Sequence, residues 1–346
     1  MSVPSKKALD PLVPANIPNI PKPDILDSVE SSSQVVRPLL KWVGGKTQIL
    51  DQVLCKFPQR IANYYEPFVG GASVLLGFLS SSITKSALAT TKTVVASDIN
   101  PNIIALYRNV QSRCQEFIRH LNLLAETYNT ITRNRVQAET TPTTPTKNTK
   151  NTKKPTTYEE ALESTESFYY WVRRQYNTTP DRTSAATSAM LLFLNKTCFR
   201  GLYREGPSGF NVGFGHYKHL SLPSKEHIQQ VSSLIQRVKF QTCSFEQIMQ
   251  LLRRNDFVYL DPPYAPESST SFVKYTSNGF DMHAALFSCI HNLRSLKIKF
   301  LMSNADVDQV RNAFPKKQYL VVVLKCRRAI NSKNPAATTN EVLVSW

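Results

Sequence analysis

One short motif carries the clearest chemical signal in the sequence: Asp261, Pro262, Pro263 and Tyr264. It follows four hydrophobic residues, FVYL, so we expect it where a buried strand ends. Two prolines remove two amide donors, which leaves the Asp261 carboxylate and the Pro262 carbonyl as acceptors. Two acceptors beside a stacking ring suit a planar exocyclic amine, because they hold its hydrogens and expose the nitrogen lone pair. These four residues, called the tetrad below, also fit a plain strand-ending turn, since Asp-Pro is a common turn pair.

A glycine turn at residues 66–73 (EPFVGGAS) is the second feature. It lies between a predicted strand and a predicted helix, where the backbone can approach a nucleoside and free amides can donate to it. Asp98 ends the next predicted strand, a place from which an acid commonly holds ribose hydroxyls. Asp98 is also a candidate cap for the helix that begins near Pro101. The glycine spacing is not that of dinucleotide dehydrogenases, and residues 41–47 lack the strand and first glycine of a phosphate-binding loop.

Strands that alternate with helices must position these residues. Hydrophobic or β-branched runs predict strands at 64–66, 93–97, 257–260, 300–303, 319–325 and 341–346. A helix is predicted at 101–110, with Pro101 in its first turn. This alternation predicts an α/β fold built on a doubly wound, mostly parallel sheet.

Three segments depart from that alternation. Residues 1–36 are rich in Pro and Ser and are predicted to be a disordered N-terminal tail. Residues 115–235 are more helical, then loop-rich and basic, and are predicted to form an inserted lobe. The low-complexity stretch 137–157 within that lobe cannot bury a core, so it is predicted to be a solvated insertion. The catalytic domain is then formed by residues 37–114 together with 236–346.

The composition points to a polyanionic partner. The formal net charge is +17, and most of the positive charge lies outside the two low-complexity segments, which favours nucleic acid. The six scattered cysteines predict reduced thiols, and no His/Cys cluster has the spacing of zinc ligands. We therefore expect no bound metal. No apolar run is long enough to cross a membrane and no secretory signal is present, so we expect a soluble, intracellular protein.

Four motifs, taken in order, resemble the Dam-type (D12 class) DNA adenine-N6 methyltransferases: residues 41–46 (KWVGGK), 66–71 (EPFVGG), 97–100 (SDIN) and the tetrad (DPPY). Residues 195–215 resemble that family's target-recognition hairpin, and 327–330 and 340–344 resemble its C-terminal strands. The likeness covers nearly everything from residue 37 onward except the 137–157 insertion. It implies a Rossmann-like methyltransferase fold, S-adenosylmethionine as methyl donor and double-stranded DNA as substrate. It leaves open the oligomeric state and whether a cognate restriction endonuclease exists.

The resemblance also implies roles for single residues. The tetrad would be catalytic, with Asp261 near both the methyl donor and the target amine. The cofactor would be bound by residues drawn from several motifs: Trp42, Lys46, Phe68, Gly70, Asp98, Phe245 and Asp261. Phe245 would stack on the adenine of the cofactor, although the family more often has an acid where Ser244 stands.

The segment that resembles the recognition hairpin interleaves basic and aromatic residues. The expected DNA contacts are Lys196, Phe199, Arg200, Leu202, Arg204, Phe210 and Asn211. Basic side chains track phosphates, Arg can read guanine edges, and an apolar side chain can fill the gap left by a flipped base. Any single aromatic residue here is as well explained by a small core under a solvated loop. Asn is usual at the positions of Arg200 and Glu205 in GATC-methylating members, and Pro at that of Gly213, so we predict another short palindrome with an AT core, with CATG as the candidate.

We therefore expect direct methyl transfer to the N6 amine of a flipped adenine, without a covalent enzyme intermediate. The sequence has no Pro-Cys pair to supply the thiol that cytosine C5 methylation needs. Three alternatives stay open: cytosine N4 methylation, an RNA or protein amine as substrate, and a non-catalytic DNA-binding relic.

Overall fold

A central sheet with helices on both faces organises the computed structural model, which describes residues 35–140, 154–266, 281–327 and 338–346. Within those residues the strands are β1 (Asn63–Glu66), β2 (Thr93–Asp98), β3 (Glu205–Gly206), β4 (Gly209–Phe210), β5 (Val238–Thr242), β6 (Phe257–Leu260), β7 (Lys299–Ala305), β8 (Leu320–Arg327) and β9 (Thr338–Ser345). The helices are α1 (Leu50–Leu54), α2 (Ser73–Ser80), α3 (Lys85–Thr90), α4 (Pro101–Ser112), α5 (Cys114–Thr140), α6 (Tyr158–Leu162), α7 (Thr165–Thr178), α8 (Ala185–Thr197), α9 (Lys225–Leu234), α10 (Phe245–Leu251), α11 (His283–Ser295) and α12 (Asp308–Ala313).

The sheet has the strand order β5-β2-β1-β6-β7-β9-β8. Strands β5, β2, β1, β6 and β7 run parallel, whereas β9 is antiparallel to both of its neighbours. The predicted α/β fold with a mostly parallel sheet is confirmed. Strand β5 was not predicted; it is short and its exposure alternates along its length. The chain order reverses between β1 and β6, and at such a reversal the connections leave a crevice beyond the carboxyl ends of the strands.

Neighbouring residues on each strand serve different cores. Tyr64 joins a cluster that contains the helices α2, α4, α5, α7 and α8, whereas Tyr65 joins a cluster with α10, α11 and α12. Side chains alternate across a strand, so both faces of β1 and β6 are buried under helices. This two-sided burial holds the carboxyl ends of β1 and β6 in fixed places.

Three structural details differ from the predicted domain boundaries or add to them. Val36 is buried in the first core cluster, so the ordered chain begins before the predicted end of the tail. Helix α5 continues to Thr140, so residues 137–140, the first of the predicted insertion, are helical. Helices from the predicted lobe 115–235 share one core with the sheet. Residues 1–34 and 141–153, on which the tail and insertion predictions mainly fall, lie outside the described residues.

Among the described residues, no helix is long and apolar enough to cross a membrane. The six cysteines are free thiols.

Candidate active site

The crevice between β1 and β6 brings three of the predicted motifs to one edge of the sheet. The glycine turn follows β1, the tetrad follows β6, and Asp98 is the last residue of β2, which pairs with β1. The loop at 41–46 joins them, because the main-chain amide of Lys46 donates to Ser73 Oγ at 3.0 Å. Residues separated by more than 200 positions in the chain, such as Lys46 and Asp261, therefore line one site.

A buried lysine, Lys46, and the partly buried Asp261 form an ion pair at the centre of this site. Lys46 Nζ lies 2.7 Å from Asp261 Oδ1, and the lysine is only 2% exposed. The same ammonium group donates to the Gly44 carbonyl at 2.5 Å and lies 4.9 Å from the centre of the Tyr264 ring. Burial raises the pKa of Asp261 to about 6, while Lys46 acts in the opposite direction. Asp261 is therefore mostly ionised at neutral pH.

The rest of the tetrad is held by residues that the sequence motifs do not include. The Pro263 carbonyl lies 3.0 Å from His283 Nε2, and the amide of Ala265 donates to Asn304 Oδ1 at 3.0 Å. The Tyr264 hydroxyl donates to Glu341 Oε2 at 2.7 Å. Sequence reasoning missed all three partners, because α11, β7 and β9 contribute them through topology rather than through spacing along the chain.

The glycine turn is shaped by Asp98. Gly70 has a φ of +44°, and its amide donates to Asp98 Oδ2 at 3.0 Å. The amide of Asn100 donates to Asp98 Oδ1 at 2.9 Å. Burial raises the pKa of Asp98, and the backbone amides oppose that rise. The suggestion that Asp98 caps α4 is wrong: the cap is Asn100, whose side chain accepts from the amide of Asn102.

Two aromatic contacts border the turn. Trp42 packs so closely on Gly70 that a β-carbon there would lie 2.7 Å from the indole ring. Phe68 and Phe245 stack with their ring centres 5.6 Å apart, although 177 residues separate them in sequence. All seven residues predicted to bind the cofactor thus belong to the loops at this edge: 41–46, the glycine turn, the end of β2, the start of α10 and the tetrad.

A second buried acid lies beneath the site. Glu66, the last residue of β1, accepts a hydrogen bond from the Tyr64 hydroxyl at 2.5 Å. Burial raises the pKa of Glu66 to about 8, and the nearby negative charge of Asp261 adds to the rise. Glu66 is therefore mostly neutral at pH 7, so Asp261 is the principal negative group of the pair.

The predicted recognition segment is fastened directly to this edge. The side chain of Asn195 bonds the main chain of Lys41 in both directions, at 2.8 and 2.9 Å. Tyr203 packs against Trp42 with ring centres 5.3 Å apart, and its hydroxyl accepts from Asn102 Nδ2 at 3.1 Å. The loop of residues 41–46 and the start of α4 thus contact the hairpin without an intervening layer.

Within this segment the predicted DNA contacts fall into three groups: exposed, half-buried and buried. Phe199 is 49% exposed, and Arg200, with a φ of +57°, lies over its ring. Arg204 is exposed and donates to Asn211 Oδ1 at 2.6 Å, so two predicted contacts hold each other across the hairpin.

Leu202 is half-buried and packs on the core. Lys196 is also half-buried, and burial together with the nearby Lys41 lowers its pKa to about 8.

Phe210 requires a correction. It is only 1% exposed, and its ring packs between Tyr176 and Tyr203. Its main chain is fixed by two hydrogen bonds of 2.9 Å with the Asn177 side chain. Phe210 therefore supports the hairpin from within and does not present its ring to DNA. The aromatic-rich spacing alone could not distinguish the rings that face the core, Phe210 and Phe214, from the exposed Phe199.

Within the described ranges, no group of three His, Cys, Asp or Glu residues could hold a metal ion.

Comparison with known proteins agrees with this geometry. The pattern of the D12 class N6 adenine-specific DNA methyltransferases matches residues 42–328. The type II methyltransferase M.MjaIII of Methanocaldococcus jannaschii is 32% identical over 280 residues, which cover 78% of this chain and 84% of that protein. The DNA adenine methylase of Salmonella typhi is 31% identical over 300 residues, which cover 86% and 90%, respectively. The retron Ec67 DNA adenine methylase of Escherichia coli is 26% identical over 309 residues, which cover 88% and 90%.

The fold is a doubly wound α/β fold, and the tetrad lies where the strand order reverses between β1 and β6. This architecture and the family match define a methyltransferase. The chain belongs to the D12 class of N6 adenine-specific DNA methyltransferases. The resemblance that the four sequence motifs suggested is confirmed.

Proposed function

We propose that this chain methylates the N6 amine of an adenine flipped out of duplex DNA, with the tetrad as its catalytic centre and S-adenosylmethionine as methyl donor. The observation that carries the proposal is the contact of 2.7 Å between Lys46 Nζ and Asp261 Oδ1, which places the acid of the tetrad at the end of β6 and beside the glycine turn. The alternatives are cytosine N4 methylation and methylation of RNA or protein, and the experiment described below distinguishes each of them from adenine methylation.

The described residues fit S-adenosylmethionine. Gly70 has a positive φ and the place of its β-carbon is filled by the Trp42 ring, so the glycine lets the turn and the indole lie against each other. Asp98 would hold the ribose, Phe68 and Phe245 would flank the adenine, and Trp42 would close the pocket. The cofactor, when bound, supplies an electrophilic methyl group on a sulfonium centre.

The tetrad would hold the amine in a reactive orientation. Lys46 contacts Oδ1 of Asp261, so we assign one amine hydrogen to Oδ2 and the other to the Pro262 carbonyl. Tyr264 would stack on the flipped base, and most of the rate gain would come from this orientation. The Asp261 carboxylate, with a pKa of about 6, is a suitable acceptor for the proton that the methylated nitrogen must lose.

The hairpin would read the DNA. Phe199, Arg200, Arg204 and Asn211 lie on or near its surface, and Lys196 would contact the phosphate backbone. Leu202 would support the apolar side chain that fills the gap left by the flipped base. The target CATG stays a prediction, because it depends on Arg200, Glu205 and Gly213.

A methyl-transfer assay with tritium-labelled S-adenosylmethionine tests the proposal. Duplex DNA, RNA and a protein mixture are offered separately, and the DNA product is digested to nucleosides. We expect label in duplex DNA alone, as N6-methyladenine. Label in RNA or protein, or as N4-methylcytosine, would overturn the substrate assignment. Calorimetry without DNA is the companion measurement: failure to bind S-adenosylmethionine would support a non-catalytic relic.

A further inference from the structure

Glu341 contacts the catalytic tetrad although it belongs to none of the motifs. It lies on β9, an inner strand paired on both sides, opposite Ala305 of β7 and Leu324 of β8. The next three residues of the strand are buried, so the backbone that carries Glu341 is held firmly. Its carboxylate accepts the hydrogen bond of 2.7 Å from the Tyr264 hydroxyl.

We propose that Glu341 is a positioning residue of the methyl-transfer reaction, one that fixes the Tyr264 ring and adds negative charge beside the amine site. This inference rests on the proposed function, in which the flipped adenine stacks on Tyr264. A hydroxyl that donates to a carboxylate forms a short, charge-assisted bond, and such a bond fixes the plane of the ring. A fixed ring plane limits the positions that a stacked base can take.

A second polar group lies near Glu341. Cys326 is buried on the neighbouring strand β8, and burial together with the negative charge of Glu341 raises the pKa of its thiol to about 11. The thiol is therefore neutral at pH 7, so it adds no charge beside the hydrogen bond between Tyr264 and Glu341.

The charge of Glu341 also reaches the reacting centre. Its negative charge raises the pKa of Asp261, in opposition to Lys46, and also acts on Tyr259 and Tyr264. Positive charge develops on the amine nitrogen as it is methylated. A carboxylate placed nearby in advance favours that charge without any rearrangement at the moment of reaction.

The test compares E341Q, E341A, Y264F and the double variant Y264F/E341A. E341A should lower kcat about 10- to 100-fold, because a small misplacement of a stacked base is costly. KM for duplex DNA should change less than about threefold, since the recognition hairpin is untouched. If Glu341 acts through Tyr264, adding E341A to Y264F should cost much less than adding E341A to the wild type.

The pH profile separates positioning from a merely structural role. E341Q keeps the shape and can still accept the hydroxyl hydrogen, but it removes a charge that raises the pKa of Asp261. The acidic limb of its kcat/KM profile should therefore move to lower pH. E163Q, a change at an exposed glutamate, is the matched control and should leave both kcat and the limb unchanged.

Two results would overturn the inference: a wild-type profile and kcat in both Glu341 variants, or an E341A loss of the same size with and without Y264F. The isosteric E341Q keeps the test valid if E341A does not fold. A wild-type protein that transfers no methyl group to DNA would instead count against the proposed function.

Discussion

Lys46 Nζ lies 2.7 Å from Asp261 Oδ1, which joins the first motif of the chain to the last. Lys46 was predicted to bind the cofactor, and the structure adds that its ammonium group pairs with the acid of the tetrad. Without that cation, burial and the negative charge of Glu341 would cause Asp261 to be protonated more readily. We infer that Lys46 keeps Asp261 ionised and able to hold the amine.

Replacement of Lys46 by Met should move the acidic limb of the kcat/KM profile to higher pH, by about one unit or more. The direction follows because Lys46 lowers the pKa of Asp261, so its loss lets burial raise that pKa further. Steady-state kinetics from pH 5 to 9 measures the shift, with K85M at an exposed lysine as control. A limb that stays in place in K46M would show that Lys46 does not set the charge of Asp261.

Gly70→Ala should destabilise the protein by about 1–3 kcal/mol and weaken binding of the cofactor. Gly70 has a positive φ and no room for a β-carbon beside Trp42. Gly213→Ala is the matched control, because Gly213 has an ordinary φ and its nearest neighbour would lie 3.8 Å away. Thermal unfolding and calorimetry measure both effects. If the two variants unfolded at the same temperature and bound the cofactor equally well, the glycine turn would not be part of the cofactor site.

The two hairpin phenylalanines should behave in opposite ways. Phe210→Ala removes a buried ring and should cost about 3–5 kcal/mol of stability. Phe199→Ala removes a half-exposed ring and should leave the unfolding midpoint almost unchanged while it weakens DNA binding. Denaturant unfolding and fluorescence anisotropy with a labelled duplex measure the pair. A stable F210A variant with impaired DNA binding would restore Phe210 as a DNA contact.

Arg204 and Lys196 should differ in how they affect DNA. Arg204→Ala should relax target choice by about 1–3 kcal/mol, measured as the ratio of kcat/KM on the cognate site and on one-base variants. Lys196→Ala should weaken binding to all duplexes by the same factor. It should also lower the number of ions released on binding, taken from the slope of log affinity against log salt concentration, by about one. R204A that loses affinity uniformly would reduce Arg204 to a phosphate contact.

Much of the fold and of the site was predictable because its signals are local. The run FVYL before Asp261 and the run TVVAS before Asp98 each marked a strand end, and β6 and β2 end there. The cap of α4 was also within reach: Pro101 opens the helix, which makes Asn100 rather than Asp98 the residue before it.

What escaped prediction depends on long-range packing. Glu341, Asn304 and His283 reach the tetrad only because β9, β7 and α11 fold beside β6. No spacing in the chain encodes those contacts. The burial of Phe210 is of the same kind, since only the packing of α7 against the hairpin decides which ring turns inward.

The most direct test of the central claim is sequencing of modified bases in DNA from cells that express the wild-type chain or the D261A variant. We predict N6-methyladenine at one short sequence in the wild-type sample and none at that sequence with D261A. The same data show whether that sequence is CATG. No N6-methyladenine with the wild type, or equal levels with D261A, would contradict the assignment of Asp261 as the catalytic residue of an adenine methyltransferase.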